Sequence, residues 1–368
     1  MHAEDTSKHL GLPERHKSLG SDIWQKVSET ATATLTFGPV KPECQRSALA
    51  AATNFRSVNG TVTAQNGYPA NSVGGGGGGS MNHYLNAAAR PAVRYHGGKW
   101  RLAPWIIEHL PPHRVYVEPF GGGASVLLRK PRSYAEIYND LDSEMVNLFR
   151  VIRERGPELV TALQLTLFAR DEFVAAWEPA SDPLEQARRT IIRSFMGFGS
   201  AAITRARLPD KPGRGALQKT GFRAKSNRSG TTPGHDWANY PGALTQIIER
   251  MQGVVVENRD ALLLMPQHDG AQTVFYVDPP YVQQTRDKGG DYRHEMTDQD
   301  HVALAGLLHS LSGMVVLSGY PSDLYHDLYV GWLRIDVKAL ADGARGRTEC
   351  LWLNEAAQRS VRQGRLIA

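Results

Sequence analysis

Seven short apolar runs separated by stretches of helix length are the feature that most limits how this chain can fold. They fall at residues 115–117, 137–138, 254–256, 274–277, 315–317, 333–337 and 351–353, and most are rich in β-branched residues. Between several of them apolar residues recur at spacings of three and four, as in DSEMVNLFRVIRER (142–155) and DQDHVALAGLLHSL (298–311). Parallel strands need a crossover, commonly a helix, so the alternation predicts an α/β fold: a mostly parallel sheet covered by helices. Ligands of such sheets bind at the carboxyl ends of the strands, which makes the residues closing each run the candidate site.

Two regions break this texture. Residues 1–80 have no sustained apolar period and end in six consecutive glycines (74–79), a tether that packs nothing, followed by Ser80 and Met81. They are expected to form a low-order, disordered extension. With seven basic and six acidic side chains, this extension is no arm for nucleic acid, and no function is assigned to it. Between about 160 and 250 a helical stretch, LEQARRTIIRSFM, leads into a segment rich in Gly, Arg, Lys, Ser, Thr and Pro. Within 193–230 nine Lys or Arg face one acid, Asp210, although the whole chain carries only +5. The positive charge is therefore concentrated and points to an anionic partner. The expected organisation is an α/β unit built from 81–160 and 251–368, interrupted by a mainly helical insertion over 161–250.

Composition narrows the class further. At 41% hydrophobic and 21% charged the chain can bury a core and is no disordered polyelectrolyte. It has no uninterrupted apolar stretch of membrane-spanning length, so no membrane partner is expected. The N-terminal residues lack a signal-peptide pattern. Two cysteines, Cys44 and Cys350, make no disulfide framework, and the simplest expectation is a reducing, cytoplasmic setting. The thirteen histidines are scattered; His294, His301 and His309 read as helix-surface residues, and no metal site is expected.

Two motifs carry chemistry. E118-P-F-G-G-G-A-S125 follows the 115–117 run, and its glycines allow a tight turn and close approach to a ligand. Asp140 closes the next run, where an acid can bond a ribose hydroxyl. Nicotinamide, flavin and S-adenosylmethionine enzymes all use this pattern. D278-P-P-Y281, after TVFYV, is more specific. Its prolines remove amide donors and stiffen the turn, leaving a carboxylate and carbonyls as acceptors for an exocyclic amino group, beside an aromatic ring that can stack on a base. Ser318-Gly319-Tyr320 ends another strand and reads either as part of the same pocket or as a structural turn.

From about Val93 to the C-terminus, roughly three quarters of the chain, the sequence resembles the DNA adenine methylase (Dam-like) family, the alpha group of N-6 adenine-specific DNA methyltransferases. The matching pieces, in family order, are R94-Y-H-G-G-K-W100, E118-P-F-G-G-G-A-S125, Y138-N-D140, N258-R-D260 and D278-P-P-Y281. The resemblance implies a Rossmann-like methyltransferase sheet in which the insertion over 161–250 is the target-recognition region. It implies methyl transfer from S-adenosylmethionine to the N-6 amino group of adenine in a specific sequence of double-stranded DNA. Carried over by position, Tyr95, Lys99, Glu118, Phe120, Gly122, Asp140 and Asp260 would bind the cofactor, with Asp140 on its ribose and Asp260 beside its adenine. Asp278, Pro279, Pro280 and Tyr281 would form the catalytic motif, with Asp278 and the Pro279 carbonyl accepting from the target amino group and Tyr281 stacking on the flipped base. The basic stretch falls where the family places recognition, and Arg205, Arg223, Lys225, Asn227 and Arg228 are the expected DNA contacts. Ala124 departs from the family, which usually has glycine there, and Ala261 stands where an aromatic residue is common.

The chemistry fits the motif. Adenine's amino lone pair is delocalised into the ring, and acceptors at 278 and 279 would favour a more tetrahedral nitrogen aimed at the donor methyl, so positioning supplies much of the acceleration. The base lies inside a duplex and must be extruded, at a cost of a few kcal/mol of unstacking. Transfer to cytosine N-4 or to an RNA base is the alternative within the class; a nicotinamide-dependent oxidoreductase would leave the Asp-Pro-Pro-Tyr motif without a role, and a catalytically silent DNA-binding module would have no need of it. The expected setting is the cytoplasm of a bacterial cell or phage-infected host, with the chain a monomer and any restriction endonuclease partner left open.

Overall fold

The computed structural model describes residues 88–200, 203, 221–224, 231–286, 292–340 and 346–367. The expected extension over 1–80, together with Met81, lies outside the described residues, as do Arg205, Lys225, Asn227 and Arg228. The described part belongs to one compact unit, Ser80–Ala368.

In chain order the elements are α1 (Ala103–Glu108), β1 (Val115–Glu118), α2 (Ser125–Arg129), β2 (Ala135–Asn139), α3 (Ser143–Glu154), α4 (Gly156–Gln164), α5 (Arg170–Ala175), α6 (Pro183–Met196), α7 (Pro233–Ala238) and α8 (Tyr240–Met251). There follow β3 (Val255–Glu257), α9 (Ala261–Leu264), β4 (Thr273–Val277), α10 (Asp298–Ser310), β5 (Met314–Gly319), α11 (Asp323–Leu328), β6 (Leu333–Leu340), β7 (Gly346–Leu353) and α12 (Glu355–Ile367). All seven expected strands are present within a few residues, and three predicted helical stretches appear as α3, α6 and α10.

The seven strands form one sheet in the order β3-β2-β1-β4-β5-β7-β6. The first five run parallel. β7 enters antiparallel between β5 and β6, because the five residues between β6 and β7 are too few for a crossover and enough for a hairpin. Chain order runs outward from β1 through β2 to β3, then returns to the other side of β1 with β4. That reversal opens a crevice at the carboxyl ends of β1 and β4.

Both faces of the sheet are covered, so the central strands are apolar throughout. Every residue of β4 and of β5 is buried, and alternate residues feed two cores. Tyr116, Val274, Tyr276 and Val316 join one with residues of α3, α6 and α8; Val117, Phe275, Val277 and Leu317 join another with residues of α9, α10 and α11. Helix starts are fixed by local capping: Asp142 accepts from the Glu144 amide, Asp182 from the Glu185 amide, and Thr297 and Asp300 bond reciprocally at the start of α10.

The helices within the expected insertion do not stand apart. Phe173, Ile191, Trp237, Tyr240 and Leu244 lie in the same core as the sheet-covering residues. A buried charge cluster adds a second bond. Glu136 on β2 pairs with Lys130 at 2.7 Å and with Arg250 on α8 at 2.6 Å, all three side chains being at most 3% exposed. Among the described residues no helix is long and apolar enough to cross a membrane.

Candidate active site

β1 delivers Glu118 to the crevice and ends in the glycine turn. Gly122 has φ +46°, and a Cβ there would lie 2.7 Å from the Tyr95 ring; one at Gly121 would lie 2.2 Å from the Tyr138 ring. Tyr95 and Tyr138 thus pack directly on backbone, which only hydrogen at these two positions permits. Ala124 adopts the left-handed conformation (φ 52°, ψ 35°) with its methyl fully buried. The turn is tied down by β2: Asn139 accepts from the Arg259 amide and donates to the carbonyls of Pro119 and Arg259, joining three strand ends.

Asp140 is the expected acid at the end of β2. Its Oδ2 accepts from the Gly122 amide at 2.7 Å and its Oδ1 from the Asp142 amide at 2.8 Å. Burial pushes its carboxyl up to about 6 despite these bonds. Glu118 is deeper, 3% exposed, with its Oε2 accepting from Tyr116 Oη at 2.8 Å and the Leu127 amide at 3.1 Å. Burial pushes it up to about 8, against those bonds and with the help of Asp278. Asp260, at the end of β3, is exposed and caps α9 through the Leu262 amide.

Asp278 closes β4 and faces the glycine turn. One cavity of about 270 Å³ is lined by Tyr95, Lys99, Glu118, Phe120, Gly122, Asp140, Asp260, Asp278 and Pro280. The expected cofactor residues and the catalytic carboxylate therefore share one space. Lys99 Nζ lies 3.0 Å from Asp278 Oδ1. Burial disfavours the ammonium, but Asp278 and Glu349 outweigh it and hold Lys99 charged. Pro279 is buried. Tyr281 is 6% exposed, and its hydroxyl bonds Ser318 Oγ and Glu349 Oε2, each at 2.9 Å. Tyr320 meets the Tyr281 ring edge-on at 4.7 Å, so Ser318 and Tyr320 both pack on Tyr281.

The segment after the Asp-Pro-Pro-Tyr motif covers the cavity, a role that no local pattern announced. Tyr292, Arg293, His294, Glu295 and Met296 line it. Arg293 crosses to the start of α3, donating to Asp142 at 2.6 Å and Glu144 at 2.7 Å.

The structure places two side chains differently from expectation. Arg223, an expected DNA contact, is 8% exposed with its guanidinium 3.5 Å from Asp236. Arg90 and Arg94 bond the same carboxylate, at 2.7 and 3.1 Å. The cluster keeps two net positive charges, on arginines that composition alone did not single out. His301 was read as a surface residue, but it is fully buried with Nδ1 3.2 Å from Tyr325 Oη, because its side of α10 packs on α11. Among the described residues no group of three or more His, Cys, Asp or Glu could hold a metal ion.

Comparison with known proteins agrees with this geometry. A DNA adenine methylase of Serratia marcescens is 25% identical over 252 residues, covering 65% of this chain and 87% of that protein. A DNA adenine methylase of Escherichia coli (strain K12) is 35% identical over 85 residues, 23% of this chain and 28% of the relative. Residues 95–342, which contain the glycine turn, Asp140 and the Asp-Pro-Pro-Tyr corner, match the family described as D12 class N6 adenine-specific DNA methyltransferase. With a nucleotide-sized cavity at the strand reversal and an acceptor carboxylate facing it, the chain belongs to the D12 class of N6 adenine-specific DNA methyltransferases.

Proposed function

We propose that the methyl donor of this adenine-N6 DNA methyltransferase is S-adenosylmethionine, held in the cavity between the glycine turn and Asp278, and that the substrate is a specific sequence of double-stranded DNA. The observation that carries the reading is that both motifs line one cavity. The residues present fit such a group. The turn leaves no room for side chains at Gly121 and Gly122, Asp140 and Asp260 offer carboxylates for hydroxyl and amino hydrogens, and Phe120 and Leu262 offer apolar faces. The bound cofactor supplies a methyl group on a positively charged sulfur, a good leaving group.

The chain's own residues then do the positioning. Asp278 accepts from the adenine amino group, and the Pro279 carbonyl provides a second acceptor in a corner whose prolines restrict the backbone. Tyr281, clamped at its hydroxyl and edge, presents its ring to the extruded base. Tyr292 and Arg293 cover the cavity and exclude water. The region 161–250 carries target recognition. Arg205, Lys225, Asn227 and Arg228 remain its proposed DNA contacts, and Arg90 and Arg94, each about a quarter to a third exposed, add phosphate-directed charge beside them. Action in the cytoplasm, where bacterial DNA is accessible, goes with this substrate.

The test is transfer of tritiated methyl to unmethylated duplex DNA, followed by digestion and nucleoside identification. Label is expected in N6-methyldeoxyadenosine, and Asp278→Asn should lower turnover at least about 100-fold, the scale for removing a positioned polar group, while cofactor binding persists. Label in methylcytosine, or undiminished turnover by the variant, refutes the assignment.

A further inference from the structure

A base entering the acceptor pocket must reach Asp278 and lie against the Tyr281 ring, and one group covers both places. Lys99 Nζ is 3.0 Å from Asp278 Oδ1 and 4.6 Å from the centre of the Tyr281 ring, with the Gly97 carbonyl at 2.8 Å. An amino group that takes Asp278 as its acceptor competes with this ammonium for the carboxylate. Lys99 is only 6% exposed, and a buried ammonium stripped of its counter-ion is costly. It needs a second negative partner within the same pocket.

Two carboxyl groups are candidates. Glu118 Oε2 is already bonded by the Tyr116 hydroxyl and the Leu127 amide, which commits that carboxyl to the first strand and the glycine turn. Glu349 on β7 is 9% exposed, with its Oε2 on the Tyr281 hydroxyl. Burial raises its carboxyl, Lys99 opposes that, Asp278 adds to it, and Arg347 opposes it again. Arg347 itself donates to the Thr285 carbonyl at 2.8 Å and lies over the Tyr320 ring, whereas Lys99 stands at the face of the ring whose hydroxyl Glu349 holds.

We propose that Glu349 is a positioning residue for methyl transfer: it fixes Tyr281 through the hydroxyl and serves as counter-ion to Lys99 once the target base claims Asp278. The proposal rests on the reading of Asp278 and Tyr281 as the acceptor pocket. Its chemistry is that of a second charge partner, which lets the pocket exchange an ammonium for a neutral amino group without leaving a bare buried cation.

The test is single-turnover methyl transfer to duplex DNA by the full chain carrying Glu349→Gln or Glu349→Asp, each alone and together with Lys99→Met, with S-adenosylmethionine affinity measured alongside. Glutamine keeps an acceptor for the Tyr281 hydroxyl and discards the charge; aspartate keeps the charge and draws back from the hydroxyl. Glu349→Gln should slow transfer about ten- to a hundredfold, the range for a lost charged hydrogen-bond partner, and Glu349→Asp should slow it less. Cofactor affinity should stay within about twofold in both, as for independent sites, and the glutamine variant should lose nothing more once Lys99 is methionine. Transfer as fast in Glu349→Gln as in Glu349→Asp, or an equal loss on both backgrounds, overturns the counter-ion role. Loss of cofactor binding by both variants would mark a structural residue and overturns it too. Asp278→Asn separates the two levels. If that variant keeps full turnover the pocket reading itself fails; if it is inactive while Glu349→Gln matches wild type, only the Glu349 proposal fails.

Discussion

Cofactor binding should release a proton, and Glu118 is the residue that should release it. Burial pushes its carboxyl up to about 8, so at pH 7 roughly ten molecules are protonated for each one ionised. A cationic ligand in the cavity favours the ionised form. Binding at pH 7 can then release up to roughly nine-tenths of a proton from this group, and no more than about a tenth near pH 9. Asp140, pushed up to about 6, adds only about a tenth of a proton at pH 7 and does not mask the effect. Titration calorimetry in phosphate and in Tris, whose ionisation enthalpies differ widely, reads the proton count directly. Glu118→Gln removes the titrating group, and the difference between wild type and variant isolates it. The free protein gives an independent check. A carboxyl raised from 4.5 to about 8 in the folded state contributes stability that is fully present below pH 4.5 and is lost as pH rises to about 8, at up to about 1.4 kcal/mol per unit. Glu118→Gln should flatten that slope. Equal binding enthalpies in the two buffers at pH 7, for wild type, would refute the reasoning.

Two stability predictions follow from the packing. Glu136→Ala leaves Lys130 and Arg250 buried without their shared partner and should cost about 3–5 kcal/mol in denaturant unfolding; a loss under about 1 kcal/mol would mean that water reaches the cluster. Ala124→Gly relieves about 1–2 kcal/mol of left-handed strain. It also frees the unfolded chain by about 0.4–1 kcal/mol and removes a fully buried methyl worth about 0.8 kcal/mol. The terms nearly cancel, so the midpoint should shift little, and a change above about 2 kcal/mol would contradict the assigned conformation.

The sheet was legible because its strands are buried on both faces. Residues 273–277 and 314–319 carry apolar runs that admit no other reading, and glycine and Asp-Pro-Pro-Tyr corners mark where they end. What escaped were polar residues whose burial depends on distant partners. Glu349 sits in RTECLWL, where a glutamate suggests a solvent-facing position; only the entry of β7 between β5 and β6 brings it to Tyr281. Arg250 follows a helical pattern that would put it in water, yet Glu136, 114 residues earlier, makes its burial tolerable. Arg223 belongs to a basic stretch that reads as surface, and Asp236 on α7 draws it inward. Spacing records neighbours along the chain, while ion pairing across it leaves no local mark.

The bond between Arg250 and Glu136 also bears on how this enzyme class could be re-targeted. The last helix before β3 is riveted to the second strand, so the stretch proposed to select DNA is not a cassette with two free hinges. A graft ending inside α8 would carry an arginine away from its carboxylate, or import a side chain with no matching acid. Chimeras should keep α8 with its native sheet and exchange only the segment ahead of it. Heating should accordingly melt helices and sheet in one transition rather than two.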